Sequence, residues 1–139
     1  MLPSQGRGRG FEPRSPLQRN MDYKHTNLPI EMKPKLVRDK IPEIIEKAEG
    51  VKAIIITLNK KDRGERLVEK IREEAEELLL AIKDNTNSIE ELADILELIN
   101  AIAIYVGGSI SDVEKERKKK FKIRGGFKKR YLLLGKASE

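Results

Sequence analysis

The sequence has no cysteine, no tryptophan and a single histidine, His25. Without cysteine there can be no disulfide, no zinc–thiolate cluster and no thiol nucleophile. One histidine cannot build a multi-histidine metal site, and serine–histidine chemistry is excluded on the same count. Aromatic residues make up 4% of the chain, too few to furnish a base-stacking platform for nucleic acid. No apolar run reaches the length of a bilayer span, and no signal-type apolar stretch follows the N-terminal arginines. A cytoplasmic protein is therefore expected. The chemistry left open belongs to carboxylates, lysine, arginine and hydroxyls. The metal chemistry left open is that of hard cations on oxygen ligands, Mg²⁺ or Mn²⁺.

What the sequence has is charge. Charged residues are 37% of 139, against about a quarter in an ordinary globular chain, which implies long solvated helix faces. The net charge of +6 is unevenly placed. From Glu73 to Glu97 nine acidic residues face one lysine, a balance of −8. From Lys115 to Arg130 ten basic residues face Glu116 alone, a balance of +9. An acidic zone can hold a cation and a basic zone can hold polyphosphate. The length suits one domain with one core.

Residues 1–32 read as an extension expected to be disordered. Gly6-Arg7-Gly8-Arg9-Gly10 and the prolines at 3, 13, 16 and 29 break any regular period. A small RNA-binding arm is the alternative for this stretch. The domain is expected over residues 33–135, with 136–139 as a tail. Asp39 is the expected N-cap of a first helix running to about Ala48, with Pro42 in its first turn and Gly50 ending it. Val51–Leu58 is β-branched and apolar, so a short strand or extended segment is expected. Asn59–Gly64 reads as a polar turn. A long helix follows from about Glu65 to Lys83, then a loop over Asp84–Ser88. Ser88 and Glu91 are spaced as a capping box for a helix over Ile89–Val106, stopped by Gly107-Gly108. A last helix is expected from Ser111 to Lys122, broken by Gly125-Gly126. Tyr131–Leu134 would be strand-like or docked in a groove.

Placed on a wheel at about 100° per residue, Leu67, Ile71, Ala75, Leu78 and Ile82 form the expected core stripe of the long helix. Glu74 falls at its edge and Glu77 just beyond, while Glu73 and Glu76 turn toward solvent. The next helix is apolar almost all round, as in a helix enclosed by others, often across a subunit interface. Glu91 and Asp94 share one side of it, and Asp94 is ringed by Leu98, Ala101 and Tyr105. A short loop would set the two helices antiparallel, so that Glu74, Glu77, Glu91 and Asp94 face one space. Four carboxylates on facing helices make an oxygen cage suited to Mg²⁺. The plain alternative is a solvated acidic face, for which basic partners are scarce; Lys70 can reach Glu74 at i,i+4.

These residues resemble a family. Glu73-Glu74-Ala75-Glu76-Glu77 followed by Glu91-Leu92-Ala93-Asp94 is similar to the EExxE…ExxD signature of the all-α NTP pyrophosphatases, the MazG-like superfamily. Lys35-Leu36-Val37-Arg38-Asp39-Lys40-Ile41-Pro42 and Arg124-Gly125-Gly126-Phe127 resemble its small phosphoribosyl-ATP pyrophosphohydrolase-like, house-cleaning branch. The resemblance covers about residues 35–134. It implies an all-α helical bundle assembled as a homodimer or homotetramer. It implies Mg²⁺-dependent hydrolysis of a nucleoside triphosphate to the monophosphate and pyrophosphate. Carried over by motif, Glu74, Glu77, Glu91 and Asp94 would be metal ligands and Glu73 an auxiliary carboxylate that places a water. Lys35, Arg38 and Lys40, with Arg124, Lys128, Lys129 and Arg130, are candidates to clamp phosphates. For Arg38 a surface salt bridge is the competing expectation.

A phosphoribosyl-ATP pyrophosphohydrolase of histidine biosynthesis would share this motif. A Tyr-His pair would then be expected after Asp94, where this sequence has Ile95-Leu96. A reading of another class is a nucleic-acid-binding or regulatory module using Lys115–Arg130. That reading leaves the inward acidic pairs without a purpose.

Overall fold

The computed structural model describes residues 34–138, so the expected extension over residues 1–32 lies outside the described residues. The described chain is helical, with four helices in the order α1 (Ile41–Glu49), α2 (Lys60–Asp84), α3 (Ser88–Tyr105) and α4 (Ile110–Arg124). Among the described residues there is no strand, and no single helix is long and apolar enough to cross a membrane. The chain divides into two compact units, the first ending at Leu98 and the second beginning at Ile99.

In the first unit, α1 starts without a side-chain cap. Lys40, not Asp39, is its N-cap residue, and Pro42 sits in the first turn, where a missing N–H costs no helical bond. Gly50 ends it in the left-handed region at φ 68°, its N–H donating to the Glu46 carbonyl. Val51–Leu58, expected as a short strand or an extended segment, forms no strand. An extended segment becomes a strand only beside a second one, and none pairs with it among the described residues. The segment is instead tied back to α1, with the Ala53 N–H donating to Glu46 Oε2 at 3.0 Å.

α2 begins five residues earlier than the sequence suggested. Asn59 caps it, its side-chain oxygen accepting from the Asp62 N–H at 2.8 Å, and Gly64 lies inside the helix rather than ending a turn. The buried face of α2 is Gly64, Leu67, Glu74 and Ala81, with Ile71 and Leu78 half-buried. The expected stripe is thus rotated: Ala75 and Ile82 are exposed, and Glu74 lies on the inner side rather than at its margin. At the far end Asn85 takes the left-handed conformation at φ 55°, and Thr86 donates its N–H to the Ala81 carbonyl at 2.9 Å. Three residues then suffice to turn the chain into α3, whose first turns bring Glu91 and Asp94 beside Glu74 of α2. Ser88 is the first residue of α3. Its hydroxyl donates to the Thr86 carbonyl at 3.2 Å, so the expected Ser88–Glu91 box is replaced by a turn contact.

In the second unit, α4 starts one turn's fraction earlier than expected. Ser109, not Ser111, is its N-cap, and Ser109 and Asp112 exchange the two bonds of a capping box. Arg117 pairs with Glu114, and Lys119 with Glu116 at 3.1 Å. No residue of α4 is buried. Beyond Gly125 the chain is irregular, and Tyr131–Leu134 is neither a strand nor docked: these residues are exposed, as is Phe127 at 99%.

Among the described residues only Leu67, Ala81 and Ala103 are buried apolar side chains. Val68, Leu79 and Ile82 on α2, and Ile89, Leu92 and Leu96 on α3, are exposed. Each set recurs at helical spacing, and on α2 it forms a second apolar stripe about a quarter-turn round the helix from the buried one.

Candidate metal centre

Three side chains from two helices converge in the first unit. One carboxylate oxygen from each of Glu74 on α2 and Glu91 and Asp94 on α3 lies within 4.8 Å of the others. The helical arithmetic places them there. Glu91 and Asp94 are three residues apart on one side of α3, and the tight Asn85–Asn87 turn brings that side against the inner face of α2. Ligand oxygens sit about 2.1 Å from Mg²⁺ and about 2.3–2.6 Å from Ca²⁺, so ligands across one ion stand up to about 4–5 Å apart. The observed spread lies in that range.

Glu74 is the informative member. It is 7% exposed, and its Oε2 is buried without a hydrogen-bond partner. Its other oxygen has Lys70 Nζ at 3.8 Å, longer than a hydrogen bond. A buried carboxylate left in this state is costly. Accordingly its pKa is raised from 4.5 to about 7, first by burial, then by a hydrogen bond to Glu77 that requires a proton, and by the charges of Glu77 and Asp94. Lys70 opposes the rise. A divalent cation among the three carboxylates would remove both the missing partner and the repulsion. The donor set, all oxygen and all carboxylate, fits a hard divalent cation, and the orphaned oxygen is the observation in favour of such an ion.

The remaining expected site residues are placed as follows. Glu77 is exposed on α2 and stands next to Glu74, outside the converging three. Glu73 is exposed on the solvent side of the same helix. Arg38 donates from Nη2 to Asp94 Oδ1 at 2.6 Å, a contact between residues 56 apart in sequence. Lys35 is exposed ahead of α1, and Lys40 is its exposed N-cap residue. Arg124, Lys128, Lys129 and Arg130 are exposed in the second unit, where Lys129 Nζ lies 5.9 Å from the Tyr131 ring centre. The sequence had no local signal for the Arg38–Asp94 pair, because nothing periodic links a segment before α1 to the middle of α3. No model of a known protein family matches the chain, and no solved structure matches it.

Proposed function

We propose that this chain is a Mg²⁺-dependent nucleoside triphosphate pyrophosphohydrolase, acting on non-canonical nucleotides in the cytoplasm. The observation that carries the reading is the buried, partnerless Glu74 Oε2 set against Glu91 and Asp94. Composition had already narrowed the chemistry to oxygen-ligated hard cations, and the EExxE…ExxD resemblance supplies the reaction. A bound Mg²⁺ supplies charge neutralisation for the phosphates and an acidified water.

In this reading Glu74, Glu91 and Asp94 hold the cation. Glu77, exposed next to Glu74, completes the ligand set or takes the proton of the attacking water. Glu73 helps place that water. Lys35, Lys40, Arg124, Lys128, Lys129 and Arg130 bind phosphate oxygens, which is where most of the protein's contribution to phosphoryl transfer lies. A homodimer or homotetramer belongs to the same reading. The stripe Val68, Leu79, Ile82 and the stripe Ile89, Leu92, Leu96 are exposed, and the three buried apolar side chains among the described residues are too few to hold helices of this length together. A second copy covers these faces.

The test is pyrophosphate release from a panel of canonical and modified triphosphates and phosphoribosyl-ATP, with Mg²⁺, Mn²⁺ or chelator. Glu74→Gln and Asp94→Asn should each abolish metal-dependent release while the helical signal persists. Full activity in either variant, or in chelator, would refute the reading.

One observation favours a second reading. α4 has no buried residue and carries a dense run of lysine and arginine, as a nucleic-acid-binding surface would. It requires steeply salt-dependent RNA or DNA binding that is indifferent to Mg²⁺.

A further inference from the structure

Arg38 lies in the irregular segment ahead of α1, yet its guanidinium reaches the middle of α3 and donates to Asp94 Oδ1 at 2.6 Å. Phosphate clamping was one expectation for this residue and a surface salt bridge the other. The geometry matches the second, but at a particular carboxylate. The two side chains are 58% and 42% exposed, so the pair contributes little to holding the fold. Its effect is local. A carboxylate on a helix can rotate about two side-chain bonds, and fixing one oxygen fixes where the other points.

Arg38 engages Asp94 at Oδ1, and an ionised carboxylate keeps further acceptor sites on its two oxygens for another partner. Asp94 also belongs to the trio that converges with Glu74 and Glu91. Hydrogen bonds to ligand carboxylates orient them, and removing such a partner typically weakens metal binding about 10–100-fold. Two effects of Arg38 oppose each other here. Its charge repels a nearby cation, whereas its hydrogen bond holds the ligand in place. The repulsion acts through solvent and fades when salt shortens the Debye length to a few ångströms; the hydrogen bond does not.

We propose that Arg38 is a positioning residue for the metal centre: it holds the Asp94 carboxylate toward the ion and ties the segment before α1 to the occupancy of that site. The proposal rests on the reading that Glu74, Glu91 and Asp94 bind a divalent cation. It assigns Arg38 to the metal's supporting shell in place of the phosphate clamp.

The experiment titrates the full chain with Mn²⁺ in about 0.5 M KCl, where screening suppresses the repulsion, and follows free Mn²⁺ by electron paramagnetic resonance. Wild type, Asp94→Asn, Arg38→Ala, Arg38→Gln and Arg38→Lys are compared, each checked for its helical signal. The expected result is saturable binding by wild type, loss in Asp94→Asn, and about 10-fold weaker binding in Arg38→Ala, with partial recovery in Arg38→Gln and Arg38→Lys, which keep a donor. Mn²⁺ should also slow amide exchange over residues 35–40 in wild type and not in Arg38→Ala, a response that a purely structural role would not produce. Equal or tighter binding in Arg38→Ala, with wild type still binding, overturns the role of Arg38 and leaves the metal site standing. Absence of Mn²⁺ binding by wild type overturns the metal site and this proposal with it.

Discussion

Glu74→Gln should make the metal-free protein more stable at neutral pH, although it removes a residue placed at the centre of the site. The reasoning starts from the carboxyl's pKa of about 7 in the fold against 4.5 in the ordinary state. A raised acid binds its proton more tightly folded than unfolded. The stabilisation from that proton is complete below about pH 4.5 and is lost as pH rises through about 7. The difference corresponds to about 3 kcal/mol for a group that is almost fully buried. Glutamine has the shape of the protonated acid and never ionises. In EDTA the variant and wild type should therefore unfold alike near pH 4.5. Near pH 8 the variant should be more stable, by a margin that raises its melting temperature by roughly 10 °C. Urea or thermal unfolding followed by circular dichroism between pH 4 and 9 measures the gap. With Mg²⁺ in excess the gap should shrink or reverse, because only wild type has the full ligand set. A gap that does not vary with pH, or a variant less stable than wild type at pH 8 in EDTA, would show that Glu74 is not held as a destabilised carboxylate.

Millimolar Mg²⁺ should raise the melting temperature of wild type and leave that of Asp94→Asn unchanged, since a ligand that prefers the folded state stabilises by mass action; scanning calorimetry of both proteins decides this. Leu96→Glu, on the exposed apolar stripe of α3, should reduce an oligomer to monomers in light scattering without loss of helicity inside the protomer, and an unchanged mass would place the subunit contact elsewhere. Ser109→Ala should cost about 1 kcal/mol in urea unfolding, because it removes the oxygen that accepts the Asp112 N–H. Ser111→Ala should cost far less, and the reverse order would refute the observed cap.

The acidic pairs were legible because they are local. Three-residue spacing on a helix survives almost any tertiary context, and Glu74, Glu91 and Asp94 do converge. The rotation of the α2 stripe was not legible. That helix has apolar residues on two sides, and periodicity reports their average direction. Ala75 and Ile82 therefore drew the expected core toward a face that is exposed. Cap positions slipped where two candidates stood close together. Gly64 suggested a break that burial overrides, and Ser109 competes with Ser111, with the choice settled by Asp112 three residues after Ser109. The segment Val51–Leu58 shows the limit of β propensity, which describes fitness for a sheet and cannot supply a neighbouring strand. The Arg38–Asp94 contact, spanning 56 residues, belongs to tertiary folding alone.

The turn at Asn85–Asn87 makes the trio a matter of counting. Because so short a connector has no slack, the phase between α2 and α3 is fixed by the number of residues separating Glu74 from Glu91. One added alanine in that stretch would swing Glu74 by about 100° and shift it by about 1.5 Å along the axis, carrying its oxygens off the opposing pair. Conservative replacements of the intervening leucines leave the phase untouched. Over this part of the chain, composition can drift while length cannot.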